Sequence, residues 1–469
     1  MSRLRRAVVL LLIGSPMVTG SYQAVAQSEY NSGGYESGDS GFEAWKKERQ
    51  QGFNSYRDQV QKEMRALANM HQDASDGYES RIADVWAEPE QSSRTRWVLY
   101  EDEYKRKRVV DFEKDTIVWS TPERYQDSSF SKSEAGTMLA ELMSLTRRQA
   151  FAQDEVASEI ESRSRAELEH LETAELDNKP ILPAYLFGNS DVSQSRINEA
   201  IDLMLASATK QQLNQNGQPV ITWTFSLATG DGSIEPTVIA KQTMQDALPP
   251  KSEIGPAPAP ETKPAFVAES ARVWQTKSIN PSQLELLPAR IHPYVYAINR
   301  ENVEFDLSAE LLLAIIETES AFNPMAKSPI PAYGLMQIVP VSAGQDATEK
   351  LFGKPRLLAP SYLYNPGKNI QIGAAYFHIL YYRYFKGVED PLSRLYCSIA
   401  AYNTGPGNVS KALTGHSMAL KPAIRIANSM SSQEVYDHLM SNLPYEETIN
   451  YMRKVTSRLS KYQEMLASE

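Results

Sequence analysis

The stretch Leu311-Leu312-Leu313-Ala314-Ile315-Ile316-Glu317-Thr318-Glu319-Ser320-Ala321-Phe322-Asn323-Pro324 decides how this chain is read. Leu312, Ile315 and Ile316 repeat at helical spacing, and Glu319 lies three, four and seven residues beyond them, on the same apolar face. Glu317 falls on the other side with Glu310 and Leu313. The spacing therefore predicts one buried acid, Glu319, and one solvated acid, Glu317. Asp306 or Ser308 can cap the helix start, and Asn323-Pro324 ends it. A carboxyl on an apolar face has its pKa raised, because desolvation disfavours the anion. A carboxylic acid protonated near neutral pH suits a general acid that protonates a glycosidic leaving oxygen. By itself this helix fits equally a buried Glu satisfied by a backbone or tyrosine partner.

Around the helix, the 469-residue chain suggests two or three domains. Arg3, Arg5 and Arg6, the apolar run Ala7 to Ile13 and Ala24-Val25-Ala26 together predict a signal peptide over residues 1–26. The apolar run is short for a permanent membrane span. Removing it leaves 45 basic against 58 acidic residues, net −13. That balance argues against nucleic acid and anionic lipid as main partners. The single cysteine, Cys397, reads as a small core residue, so no disulfide framework, thiolate cluster or lipoprotein anchor is expected. The six scattered histidines offer no metal-ligand spacing. No cofactor is expected.

Residues 27–41, rich in Gly, Ser and acids, read as a flexible tether. Phe42, Trp45, Phe53, Tyr56, Val60, Met64 and Leu67 predict one or two helices over 42–85. Trp97 to Tyr100, Val109 to Phe112 and Ile117 to Trp119 read as strands, the last two joined by a turn at Glu113-Lys114-Asp115. Residues 132–176 read as helical and 220–228 as another strand. Residues 42–245 thus form an α+β N-terminal domain with no cluster assignable to chemistry. A proline-rich linker, 246–279, precedes a nearly all-helical domain over 280–469.

Three further blocks follow Glu319-Ser320-Ala321-Phe322-Asn323-Pro324 and Ser328-Pro329. They are Gly334-Leu335-Met336-Gln337-Ile338, Ala400-Ala401-Tyr402-Asn403-Thr404-Gly405-Pro406-Gly407 and Leu443-Pro444-Tyr445-Glu446-Glu447-Thr448-Ile449-Asn450-Tyr451. In this order they resemble family 1 lytic transglycosylases of the goose-type lysozyme fold. Trp86 to Thr121 and Leu182-Pro183-Ala184-Tyr185-Leu186-Phe187-Gly188-Asn189 look, more loosely, like the N-terminal domain of that family's membrane-bound type C members. The implied fold class is α+β: a small α+β domain followed by an all-α lysozyme-like catalytic domain.

The resemblance implies Glu319 as the catalytic acid. It implies Ser328 at the N-acetyl group of the reacting sugar, Gln337 on the cleft wall and Tyr402 and Asn403 lining the cleft. It gives Tyr451 a hydroxyl facing the carboxyl, and Glu447 a part in holding the last helix. Pro329-Ile330-Pro331 departs from the family's small or polar residues there, which reduces the hydrogen bonds expected of that loop. Each residue also has a plainer reading: Gly334, Gly405 and Gly407 as turn residues, Met336 and Ile338 as core, Tyr402 as a packed aromatic. The implied activity is non-hydrolytic cleavage of peptidoglycan strands in the periplasm. The N-terminal domain would meet other wall-remodelling envelope proteins. The rivals are a muramidase using Glu446 or Glu447 to direct water, and a non-catalytic peptidoglycan-binding scaffold.

Overall fold

The computed structural model describes residues 40–125, 131–168, 171–227, 278–329 and 331–467. The signal peptide, the tether up to residue 39, the linker over 246–277 and Ile330 lie outside them.

In chain order, the first region comprises α1 (Ser40–Ala83), β1 (Arg96–Glu101), β2 (Arg106–Asp111), β3 (Thr116–Pro122), α2 (Lys132–Ser144), α3 (Arg147–Gln153), α4 (Glu155–Glu167), β4 (Leu171–Glu172), α5 (Ile181–Phe187), α6 (Gln194–Ala206), β5 (Thr209–Gln215) and β6 (Gln218–Ser226). Residues 40 and 41, read as tether, already belong to α1. This is one unbroken helix; Leu67, Met70, Ala74, Tyr78 and Ile82 line its buried stripe, which packs on α4.

The strands form one antiparallel sheet in the order β1-β2-β3-β6-β5. Trp97, Val110, Phe112, Ile117 and Phe225 are buried with α2, α5 and α6. The first three strands and β6 match the sequence pattern. The fifth strand, β5, escaped it because Thr209-Lys210-Gln211-Gln212 is exposed and polar, as an edge strand can be. The available signal was Asn216-Gly217, whose left-handed backbone (φ 48° and 86°) makes the hairpin turn.

The stretch expected to be helical over 132–176 breaks into three helices. Ser131 with Glu134 and Thr146 with Gln149 form capping boxes, and Asp154 caps α4. Leu171–Glu172 is extended instead, and this strand, β4, pairs in parallel with a distant strand, Leu357–Leu358.

The second region continues with α7 (Pro281–Glu285), a 3₁₀ turn (Ala289–Tyr294), α8 (Val295–Phe305), α9 (Ala309–Ser320), α10 (Ala343–Phe352), β7 (Leu357–Leu358), α11 (Pro360–Leu363), α12 (Pro366–Ile379), a π-turn (Leu380–Tyr384), α13 (Pro391–Thr404), α14 (Pro406–Thr414), α15 (Leu420–Ala427), α16 (Ser432–Asn442) and α17 (Glu446–Ala467). It is helical but for β7, whose partner comes from the first region. Cys397 is buried in α13.

The two regions share one continuous apolar core, from Trp97 and Phe112 through Tyr185 and Ile291 to Leu311 and Met452. Polar contacts seal the seam. Arg290 bonds Asp115 (3.1 Å) and the Tyr185 hydroxyl (2.8 Å), and buried Lys327 pairs with Asp154 at 2.7 Å.

Candidate active site

The helix α9 starts at Ser308, whose hydroxyl accepts the Leu311 N–H; Asp306 instead ends α8 in a left-handed conformation. Every residue from Leu311 to Ile316 is fully buried, so α9 runs through the core rather than along its edge. That corrects the expectation for Glu317. Its side is covered by α17, and its carboxylate takes the Tyr462 hydroxyl (2.7 Å), the Lys461 ammonium (3.3 Å) and the Arg458 guanidinium (3.7 Å). Glu317 is a tethering anion between two helices, not a solvated one.

Glu319 is buried, at 5% exposure. Just beyond Ser320, Ala321 and Phe322 both adopt left-handed backbone (φ 50° and 63°), a strained pair that costs of order 1–3 kcal/mol each. The turn is held from several sides. The Ser320 hydroxyl donates to the Ile316 and Leu335 carbonyls, and Phe322 stacks on Tyr294. Asn323 accepts the Met325 N–H and donates to the Arg94 carbonyl.

Burial pushes the Glu319 carboxyl from its ordinary 4.5 up to about 7. Arg94 and the Tyr451 hydroxyl oppose that shift and Glu447 adds to it. Tyr451 comes from α17. Its buried hydroxyl is not taken up by any other hydrogen-bond partner among the described residues and faces the Glu319 carboxyl. Arg94 comes from the loop before β1. Its guanidinium lies 3.8 Å from Glu319 and 3.5 Å from Glu447.

The other candidates make distinct contacts. Tyr402, on α13, lies close enough to feel the charge of Glu319, but its hydroxyl donates to the Met336 carbonyl (2.9 Å) and its ring packs on Tyr376 and Phe377. It braces the Gly-Leu-Met-Gln loop. Gln337 has left-handed backbone (φ 49°), donates to the Gly334 carbonyl (3.0 Å) and keeps a buried amide oxygen without a partner. The half-exposed Asn403 accepts the Thr448 hydroxyl (2.8 Å), which leaves its amide nitrogen as the group to offer a ligand. Ser328 is half-buried; its backbone N–H donates to the Ala332 carbonyl.

Two residues were missed by the sequence reading. Asn369, on α12, accepts the Met336 N–H (2.8 Å) and donates to the Tyr333 and Leu363 carbonyls, so it clamps the loop bearing Gln337. A buried asparagine inside a helical pattern was the signal. Arg94 sits in a polar loop with no periodicity and gave no signal.

Residues 296–421 match a family model described as the transglycosylase SLT domain. The chain carries an SLT domain. Membrane-bound lytic murein transglycosylase C of Pectobacterium atrosepticum is 37% identical over 191 residues, which is 40% of this chain and 52% of that protein. Its namesake in Klebsiella pneumoniae is 38% identical over 176 residues, 38% of this chain and 48% of that one. The chain thus spans about half the length of the curated relatives it matches. The 70-kDa soluble lytic transglycosylase of Escherichia coli is 26% identical over 38% of this chain and 26% of that structure, with a TM-score of 0.28, too low to carry a structural argument. The SLT match contains Glu319, Ser328, Gln337, Tyr402 and Asn403. Tyr451 and Glu447 follow it in sequence and Arg94 precedes it, so the surroundings of Glu319 are assembled from inside and outside the SLT domain.

Proposed function

We propose that this protein is a peptidoglycan lytic transglycosylase that cleaves the β-1,4 bond from N-acetylmuramic acid to N-acetylglucosamine without consuming water. The observation that carries the reading is the buried carboxyl of Glu319, poised near neutral pH beneath the Tyr451 hydroxyl in an SLT domain. Glu319 gives its proton to the glycosidic oxygen as the C1–O4 bond breaks. Its carboxylate then takes the proton of the muramic C6 hydroxyl, whose oxygen bonds to C1. The products are a free 4-hydroxyl and a 1,6-anhydro ring, and Glu319 is restored. One carboxyl suffices because the nucleophile is tethered, which supplies a large effective molarity. A hydrolase normally needs a second carboxylate.

In this reading Ser328 bonds the N-acetyl group, the orphaned Gln337 oxygen and the Asn403 amide nitrogen receive sugar polar groups, and Tyr402 supports them from behind. Residues 280–469 act as the catalytic domain and 42–245 as an N-terminal domain that can also meet wall-remodelling partners. The charged, apolar start of the chain supports export to the periplasm. The hydrolase alternative draws on Glu447, the acid that Arg94 holds beside Glu319.

The test is mass spectrometry of peptidoglycan digested by the protein and by its Glu319→Gln variant. Fragments lighter by one water than hydrolytic ones, absent with the variant, are expected. Ordinary reducing ends would establish the muramidase instead, and intact strands a binding protein.

A further inference from the structure

Arg94 lies outside the SLT match, on the segment that leads into β1, yet its guanidinium reaches the buried acid of α9. Its backbone is not free to swing. The Arg94 carbonyl accepts the Asn323 side-chain N–H (3.2 Å) and the Ser93 carbonyl accepts the Lys327 N–H (3.4 Å). Ser93 in turn donates to the Arg96 carbonyl (2.8 Å). Both carbonyls are therefore gripped by the loop that follows Glu319, and the Lys327–Asp154 pair locks that loop to α4.

We propose that Arg94 is a positioning residue for the reaction: the N-terminal region delivers one cation that holds the Glu319 carboxylate once it has given up its proton, and divides that cation between Glu319 and Glu447. The inference rests on the function proposed above. A carboxylate formed in a dry site is costly unless a charge of opposite sign lies close by. Among the described residues, four groups act on Glu319. They are Arg94 from the β1 loop, Tyr451 and Glu447 from α17, and Tyr402 from α13. The remaining cations of α17 near α9, Arg458 and Lys461, are engaged by Glu317 instead. Arg94 is thus the cation that answers the charge on Glu319, and Glu447 competes for it.

The competition gives two substitutions opposite signs, which a merely structural role would not. Arg94→Gln removes the attraction and leaves Glu447 to repel, so Glu319 holds its proton to higher pH. The alkaline limb of kcat/KM moves up by about one pH unit, and Arg94→Lys restores most of it. Glu447→Gln frees Arg94 for Glu319 alone and moves the limb down.

A second readout needs no activity. The melting temperature of each protein is compared with that of its Glu319→Gln counterpart across pH, in the Arg94 and Arg94→Gln backgrounds, on the full chain. The pH at which the two curves stop diverging reports the Glu319 proton, and it is expected to rise in the Arg94→Gln background. If that pH is the same in both backgrounds, or if Glu447→Gln moves the limb upward, the proposal is overturned. Should the parent protein release no anhydro products, the proposed function fails, while the melting curves still decide whether Arg94 and Glu319 are coupled. If Arg94→Gln does not fold, Arg94→Lys and Glu447→Gln still give limbs to compare with the parent.

Discussion

Glu319 ties its chemistry to its stability cost through one proton. Its folded pKa of about 7 lies above the ordinary 4.5, so between those values the native state binds more protons than the unfolded chain. Stability contributed by this residue therefore falls as pH rises from about 4.5 to about 7 and stays reduced above that. Glu319→Gln, which cannot ionise, is expected to be more stable than the parent above pH 7 by on the order of 3 kcal/mol. The difference should vanish below about pH 4. Urea unfolding of the two proteins at pH 4 and pH 8 checks this. Equal stabilities at pH 8 would mean that Glu319 is not held protonated by burial. The same site that weakens the fold near neutral pH is the one the proposed reaction uses, a trade seen where an active group is kept out of water.

Among the elements, the loop between α9 and α10 determines whether Gln337 can face a ligand. It turns at Gly334, whose φ of 76° suits glycine. A Cβ there would stand 2.3 Å from the Leu363 carbonyl oxygen and 2.4 Å from the Asn369 amide nitrogen. Neither can yield, because Asn369 is the clamp that holds Met336 and Tyr333. Gly334→Ala is expected to cost at least about 2 kcal/mol, combining left-handed strain with overpacking. It should also lower kcat by displacing Gln337. Thermal melting with strand-cleavage rates tests both; an active variant of unchanged melting temperature would show that the loop is not so constrained.

At the scale of the whole molecule, the apolar core runs without a break from the sheet to α17, so the two regions should unfold together. All six tryptophans precede residue 280, so their fluorescence does not report the second region directly, whereas helix occurs in both regions. Tryptophan fluorescence and far-ultraviolet circular dichroism should therefore show coincident transitions. Lys327 is a buried ion that crosses the seam, at 5% exposure. Its partner Asp154 also caps α4 and receives the Tyr364 hydroxyl (3.4 Å). Burial, with Lys327 close by, pushes the neighbouring His71 down to about 4, so that ring stays neutral and adds no competing cation near neutral pH. Lys327→Met strands Asp154 without its counterion and is expected to cost about 3–5 kcal/mol. Both transitions should shift to lower urea together; two separate transitions in the parent would refute the shared core.

Local patterning in the sequence determined the parts of this protein that depend on near neighbours. The three- and four-residue spacing of Leu312, Ile315 and Ile316 turns Glu319 inward, runs of β-branched and aromatic residues mark β1, β2, β3 and β6, and Ser131 and Thr146 each start a helix through the residue three places on. The motif blocks pointed to Tyr451, although Tyr451 is far from Glu319 in the chain. Periodicity could not say what covers the second side of α9, so Glu317 looked solvated until α17 was seen to close over it. Nor could it pair Leu171 with Leu357, reveal the polar edge strand β5, or bring Arg94 to the buried acid. Those contacts join segments separated by long stretches of chain, and an arginine in a polar loop carries no local mark of the carboxylate it will meet. Only packing of the two regions on one core decided them.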